Sequence, residues 1–595
     1  MVIRELKKRL EGRLREIFWD KLSSTQELSE REKVFENIVL QEPKNKSFGD
    51  LSTNASMVLA SYLKSDPLSI AETLKDKIFS LWEEIEDIAV EKPGFINFRL
   101  KDSFIKEKLK EVAIQKERYG FNQTGNGVKV HLEYVSSNPT GDLHIGHGRW
   151  GALGDTLANI YNANGYEVFR EYYVNDYGTQ IEKFADCVKS LYLSHFGIKM
   201  PYPSDGYPEE TVSKVAGEIY QKYGDRFILR KDTKSPEVDV EGLGRKAVEI
   251  MLSNIKETLS LMGVTYDNWF YESSLYEGDR FERVVDELKQ RGVVYEKDGA
   301  VWFKTSNFGD EKDRVVIRSE GNPTYFASDI LYLMNKIARG FDLLIYILGA
   351  DHHGYVKRLQ AVAKSLGIDV KRLVIIIGQL VRIVKSGNVV KMSRRKGKTY
   401  TLKDLLKEVG KDPVRYFFCT ASFDTPMDFD VDLAKQKSAK NPVYYVQYAH
   451  ARIESVIEKA KSVIPENIST GPDIERLLRE SNKDSSSWFV DLIENLSLDR
   501  VDFSRIQFKN SSERDLAKTV IFYPDVIYGS CRNNSPYQLV QYLYRLASEF
   551  HFFYNHYRIL RNNRINIDRF ILALLVRVVL RNALKILNLS APERM

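Results

Sequence analysis

A chain of 595 residues is too long for one hydrophobic core, so three or four domains are expected. Hydrophobic residues make up 43% and charged residues 29%, an ordinary globular balance, and the longest apolar run, "FILALLVRVVL", is broken by Arg577 and too short to cross a bilayer. The formal charge is +6, and the segment from His551 to Met595, where only Asp568 and Glu593 oppose the lysines and arginines, carries as much on its own. Such a basic stretch suits a polyanionic partner, although on charge alone a solvated helix face explains it equally well.

The first residues, "MVIRELKKRLEGRLREIFWDKL", lack an apolar signal core and read as an amphipathic helix. Cys187, Cys419 and Cys531 are far apart and form no metal-ligand cluster, so no metal site is expected and a reducing, cytoplasmic compartment fits. Residues 1–115 read as a small α+β unit. In it "FGDLSTNASMVLASYL" is a second helix with a polar start and "IAVEKPGFINFRL" a half-buried strand. Residues 116–127, rich in Gly, Asn and Gln, read as a linker.

At Val128 the pattern changes. "VKVHLEYVS" predicts a strand, Asn138 to Gly141 a turn, and the next residues a helix to about Asn164, which Gly165 ends. "YEVFREYYV" is the next strand. This strand–helix–strand unit opens a parallel, doubly wound sheet whose ligand binds at the C-terminal strand ends. A polar stretch over about 193–267 reads as an insertion, after which "FDLLIYILGADHHGY" and "RLVIIIGQLVRIV" resume the sheet. The expected fold is therefore α/β: a doubly wound domain over 128–440, preceded by the α+β unit and followed by an all-α domain over 441–595.

The chemistry centres on "NPTGDLHIGHGR". A helix N-terminus offers unpaired N–H groups and partial positive charge to phosphate. His144 and His147, three apart, share one face there, and their ring N–H groups can stabilise charge that builds on phosphate oxygens. Gly146 lets a flat ring lie on the backbone. A second element is "KMSRRKG" (391–397), a basic loop that follows a predicted hairpin around Ser386–Gly387 and precedes a helix capped by Thr401. It is suited to closing on a triphosphate. Taken alone, an HxxH pair also fits a metal half-site or two surface histidines, and a basic loop also fits a solvated one.

"HIGH" (144–147) and "KMSRR" (391–395) resemble the two signatures of class I aminoacyl-tRNA synthetases. "EYVSSNPTGDLHIGHGR", "REYYVNDYGTQ", "LGADHHGY", "NPVYYVQYAHAR" and the terminal "APERM" narrow the resemblance to the arginyl-tRNA synthetases, and "FGDLSTN" and "PGFINF" extend it to the N-terminal domain.

The resemblance implies a Rossmann-like catalytic domain that makes arginyl-adenylate from arginine and ATP, with Mg2+, and transfers arginine to the terminal ribose of tRNA(Arg) during protein biosynthesis. It implies no tightly bound cofactor, no membrane, and a monomer. ATP falls to His144, Gly146, His147, Lys391, Met392 and Ser393. Where the commonest form of the second signature has lysine, this chain has Arg394, so Arg394, Arg395 or Lys396 supplies the catalytic charge beside His144 and His147. Arginine falls to Glu133, Ser136, Asn138, Tyr325 and Asp329, with Asp351, His352 or His353 lining the same site. A guanidinium's planar fork pairs best with carboxylates. The N-terminal domain resembles the module that binds the tRNA elbow, with Phe95 and Asn97 as contacts. The C-terminal domain resembles the anticodon-binding module, with Tyr444, Tyr448 and Arg452 on one face. Two other readings compete: a small-molecule nucleotidyltransferase, set apart by having no need of RNA, and an RNA-binding paralogue without activity, set apart by loss of signature residues.

Overall fold

The computed structural model describes residues 1–23, 28–79, 82–230, 237–390, 400–463, 485–498, 500–561 and 564–595. The opening helix, Val2–Ser23, buries Val2, Leu6, Leu10, Leu14 and Phe18, a four-residue spacing that keeps them on one stripe. The same domain holds an antiparallel sheet in the order Leu40–Gln41, Leu51–Thr53, Phe95–Leu100, Ile85–Glu91. Two expectations change here. Residues Leu51–Thr53 of "FGDLSTN" are a strand, and the helix starts only at Ala55. "IAVEKPGFINFRL" is a hairpin of two strands, because the chain turns at Pro93 and Gly94. Gly94, at φ 146°, takes a conformation that favours glycine.

The central sheet is entirely parallel, in the order Leu373–Gly378, Leu343–Gly349, Lys129–Glu133, Glu167–Val174, Asn268–Tyr271. The first strand in sequence, Lys129–Glu133, lies in the middle, and later strands are added on one side and then the other. This is the doubly wound arrangement. Its crevice opens where the winding reverses, between the Lys129–Glu133 and Leu343–Gly349 strands. The helix after the first strand is Ile145–Ala163, and Gly165 follows at φ 84°.

Two units interrupt this sheet. Helices Thr179–Ser194, Glu209–Tyr223 and Val240–Leu261 share a core that includes Phe184, Val188, Tyr192, Val215 and Leu243. The interruption therefore begins before residue 193, because the apolar face of the Thr179–Ser194 helix packs into it. A three-stranded antiparallel sheet, Val294–Lys297, Ala300–Phe303 and Arg314–Ile317, forms the second unit, which sequence patterning did not separate. After the main sheet, Val381–Lys385 and Asn388–Val390 pair across Ser386 and Gly387, both left-handed. Thr401 and Asp404 form a reciprocal cap on the Leu402–Val409 helix.

The last domain is helical, with Pro442–Val463, Ser511–Ile521, Tyr523–Arg532, Pro536–His556 and Ile567–Ile586 as its long elements. The stretch 116–127 is clamped rather than free. Tyr119 is buried against Tyr523 and its hydroxyl donates to the Ile521 carbonyl (3.1 Å), while Asn582 donates to the Lys116 and Tyr119 carbonyls. The N-terminal domain docks on the same helices. Asp50, almost fully buried, takes hydrogen bonds from Arg514 (2.9 and 3.0 Å) and Lys518 (2.5 Å), and Lys46 meets Glu549 at 2.9 Å. Among the described residues no helix is long and apolar enough to cross a membrane.

Candidate active site

Two neighbouring strands meet at the crevice, with Glu133 opposite Tyr346 in register. Just past Glu133 the backbone turns hard. Val135 (φ 73°) and Ser136 (φ 38°) are both left-handed, a strained state for a β-branched residue and one that concentrates at functional sites. Neighbouring side chains brace the turn. The Tyr172 hydroxyl accepts from the Ser137 N–H (3.0 Å) and donates to its carbonyl (2.8 Å). Ser136 Oγ accepts from the Tyr173 N–H (3.1 Å), and Asn138 donates to Gln180 (2.6 Å).

The two histidines cap their own helix. The His144 N–H donates to His147 Nδ1 (3.2 Å), and the His147 N–H donates to His144 Nδ1 (3.3 Å). The rings stack with centroids 3.5 Å apart, edge-on to Trp150. A ring nitrogen that accepts a hydrogen bond carries no proton, so each neutral ring holds its proton on Nε2. Burial drives the His147 pKa well below the ordinary imidazole range, with His144 adding to the effect. A Cβ on Gly146 would lie 3.0 Å from the His144 ring, so glycine here leaves the stack undisturbed.

Near the start of the same helix, the buried Arg149 donates to the carbonyls of Gln379 (3.2 Å), Ser422 (2.7 Å) and Thr425 (2.8 Å). It ties the histidine helix to the base of the hairpin that leads to the second signature. Lys391, Met392, Ser393, Arg394, Arg395 and Lys396 lie outside the described residues.

At the other end of the crevice, the Tyr325–Ala338 helix lays Tyr325, Asp329, Tyr332 and Lys336 along one stripe. Tyr325 is exposed. Asp329 Oδ1 accepts from the Tyr355 hydroxyl (3.0 Å). Burial raises the Asp329 pKa to about 7, against the opposing pull of Tyr355 and Arg358, while Glu272 and Glu133 add to the rise. Glu133, also buried, meets the Lys336 ammonium at 2.6 Å. Glu272 is buried, accepts from Ser328 at 2.6 Å, and is raised by burial.

A second buried set involves the same helix. Glu171 accepts from Tyr332 (2.7 Å), Asn268 (2.7 Å) and both terminal nitrogens of Arg339, and contacts His131 at 2.6 Å. Burial pushes Glu171 up, yet the bonds from His131 and Arg339 carry it well below the usual carboxylate range. Burial holds His131 down at about 3. Of the "ADHHGY" residues, His352 is exposed and edge-on to Tyr355, while the side chains of Asp351 and His353 fall outside those described. Sequence reasoning did not single out Lys336, Tyr355, Glu272 or Arg149. A charged residue at an otherwise apolar position was the available signal, but its partner lies far away in sequence.

The candidate RNA contacts separate. On the N-terminal sheet Phe95 is exposed, whereas Asn97 is 4% exposed, because it sits on an inner strand between Ser52 and Ala89. On the helical domain Tyr444 and Tyr448 stack, and Arg452 lies over the rings of Tyr448 (4.8 Å) and Tyr554 (4.6 Å). Phe552 is exposed on the neighbouring helix.

Three family models match in chain order: "Arginyl tRNA synthetase N terminal domain" over residues 4–100, "tRNA synthetases class I (R), catalytic domain" over 108–416, and "DALR anticodon binding domain" over 446–595. With the doubly wound sheet and the histidine turn at its crevice, they define a class I aminoacyl-tRNA synthetase. The chain is 42% identical to the arginine–tRNA ligase of Caldanaerobacter subterraneus subsp. tengcongensis and 39% identical to that of Bacillus subtilis, in each case over 94% of both chains. Thermus thermophilus arginyl-tRNA synthetase has the same fold, with a TM-score of 0.70 at 20% identity over 100% of both chains. The chain belongs to the arginyl-tRNA synthetase family.

Proposed function

We propose that the crevice divides the work of arginine–tRNA ligation between its two ends, with ATP at the histidine helix and the guanidinium of arginine between Glu133 and Asp329. The observation that carries this reading is the combination of two carboxylates at one end, Glu133 buried and Asp329 half-buried, with two neutral imidazole donors at the other. ATP enters as its magnesium complex, a substrate. The carboxylate oxygen of arginine attacks the α-phosphorus, the bond to the bridging oxygen breaks, and pyrophosphate leaves. The Nε2–H groups of His144 and His147 donate to phosphate oxygens as charge shifts toward the leaving group. Arg394, Arg395 or Lys396 neutralises the pyrophosphate. A terminal ribose hydroxyl of tRNA(Arg) then attacks the arginyl carbonyl, and AMP leaves with the electron pair of the mixed-anhydride bond.

Ser136 and Asn138 hold the reacting end of arginine, Gly146 lies under the adenine, and Tyr325 and His352 or Asp351 border the amino acid. The elbow of the tRNA meets Phe95, with Asn97 supporting that strand from within, and the anticodon meets Tyr444, Tyr448 and Arg452. Stacking on aromatic and guanidinium faces is how unpaired RNA bases are read. Domain limits near 115, 128 and 441 organise these roles, and the enzyme acts as a cytoplasmic monomer away from membranes. Charging of total tRNA with labelled arginine tests the reading. Pyrophosphate exchange that proceeds with arginine and ATP but yields no arginyl-tRNA would favour the small-molecule nucleotidyltransferase instead.

A further inference from the structure

Lys336 is fully buried. Its ammonium lies 3.8 Å from the ring centroids of both Tyr332 and Tyr346 and donates to Glu133 Oε2 at 2.6 Å. Tyr332 is itself fixed, since its hydroxyl donates to Glu171, which Arg339 grips with two nitrogens. The cation is thus built in, caged by two aromatic faces and one carboxylate.

Its effect on the pocket follows from counting acceptors. Glu133 has one oxygen occupied by Lys336, and Asp329 has one oxygen occupied by the Tyr355 hydroxyl. Among the described residues, no hydrogen bond engages Glu133 Oε1 or Asp329 Oδ2. Each acid therefore offers one oxygen, on two different elements, which suits a planar fork with separated N–H groups better than a point charge.

We propose that Lys336 is a positioning residue that sets the pocket's fit for a guanidinium, by gripping Glu133 Oε2 and turning the carboxylate so that only Oε1 meets the ligand. This rests on the reading above that Glu133 and Asp329 receive the arginine side chain. Lys336 touches no substrate. Removing its charge leaves Glu133 buried without its partner and free to turn, so the acceptor is no longer aimed at the incoming cation.

The test is steady-state aminoacylation by the full-length enzyme with saturating tRNA. Wild-type charging with arginine must be seen first; its failure overturns the functional reading, not this inference alone. Lys336→Met should raise KM for arginine at least about tenfold, with kcat and KM for ATP within about threefold. Lys336→Arg, which keeps the charge, should restore KM to within about threefold of wild type. An unchanged KM for arginine in Lys336→Met overturns the proposal, as does a parallel loss in both KM values and kcat, the mark of general unfolding. Should Lys336→Met fail to fold, Lys336→Ala is assayed with added ethylammonium and, separately, with propanol. Recovery with the cation alone supports the proposal. Equal recovery with both, or with neither, overturns it.

Discussion

At the His144–His147 end of the crevice, the side chains are imidazole rings oriented by backbone N–H bonds within one short turn. At the Glu133–Asp329 end, they are carboxylates oriented by Lys336 and Tyr355, side chains from two different helices. The first end is a local structure and the second a tertiary one. Phosphate is a large, diffuse anion that a preset array of N–H groups satisfies. A guanidinium demands directed acceptors, which must be buried to discriminate and paired to be tolerated.

The largest effect should come from the tertiary end. Glu133→Gln is expected to lower kcat/KM for arginine by about 3–5 kcal/mol, because it leaves the Lys336 ammonium buried without its partner. Kinetics with ATP held saturating would measure it, and an unchanged value would remove charge pairing from that end. At the local end, His147→Ala should cost about 2.7–4 kcal/mol in adenylate formation, with tRNA affinity in a filter-binding assay unchanged. Wild-type turnover in that variant would leave the imidazole donors without a role.

A pH series sharpens the contrast. Asp329, raised to about 7, is neutral below that value and charged above it. Glu133, Glu272, Arg358 and Tyr355 surround it. Arginine binding should strengthen as pH rises through 7, with KM for arginine roughly tenfold higher at pH 6 than at pH 8. KM for ATP should not share that step. Identical profiles for the two substrates would mean that the ends are not electrostatically distinct. The smallest effect is on stability. His144→Asn keeps an N-cap former and should move the unfolding free energy by only a few tenths of a kcal/mol, whereas His144→Ala should cost about 0.5–2 kcal/mol. Urea melts of both variants separate the capping role of the ring from its ligand role.

This contrast also explains what the sequence disclosed. The histidine turn was readable because its strand, turn and cap are consecutive, and the doubly wound sheet followed from that unit. Glu133 was reached only through the family resemblance, because an acid at the end of a strand fits an exposed edge equally well. Lys336 was not readable, since 203 residues separate it from Glu133 and a lysine near the end of a helix reads as a solvated one. Arg149 was hidden for the same reason: its three carbonyl partners, on Gln379, Ser422 and Thr425, come far later in the chain. The hairpin at Pro93–Gly94 was missed because alternation continues on both sides of the turn. The anchoring of the 116–127 stretch was not legible, because composition records local freedom, while Tyr119 is held by a residue 402 positions further on.

The docking of Asp50 on Arg514 has a consequence for the order in which the protein is made. Those residues are 464 apart in the chain. At about 5–20 residues per second, a ribosome delivers the second roughly 20–90 seconds after the first. Throughout that interval the N-terminal domain can complete its own sheet, in which the Leu100 N–H donates to Asp50 (2.8 Å), yet the carboxylate waits without its cationic partners beside a face that only the last helices will cover. An enzyme of protein synthesis thus depends on its own synthesis running to the end before its opening domain has a partner.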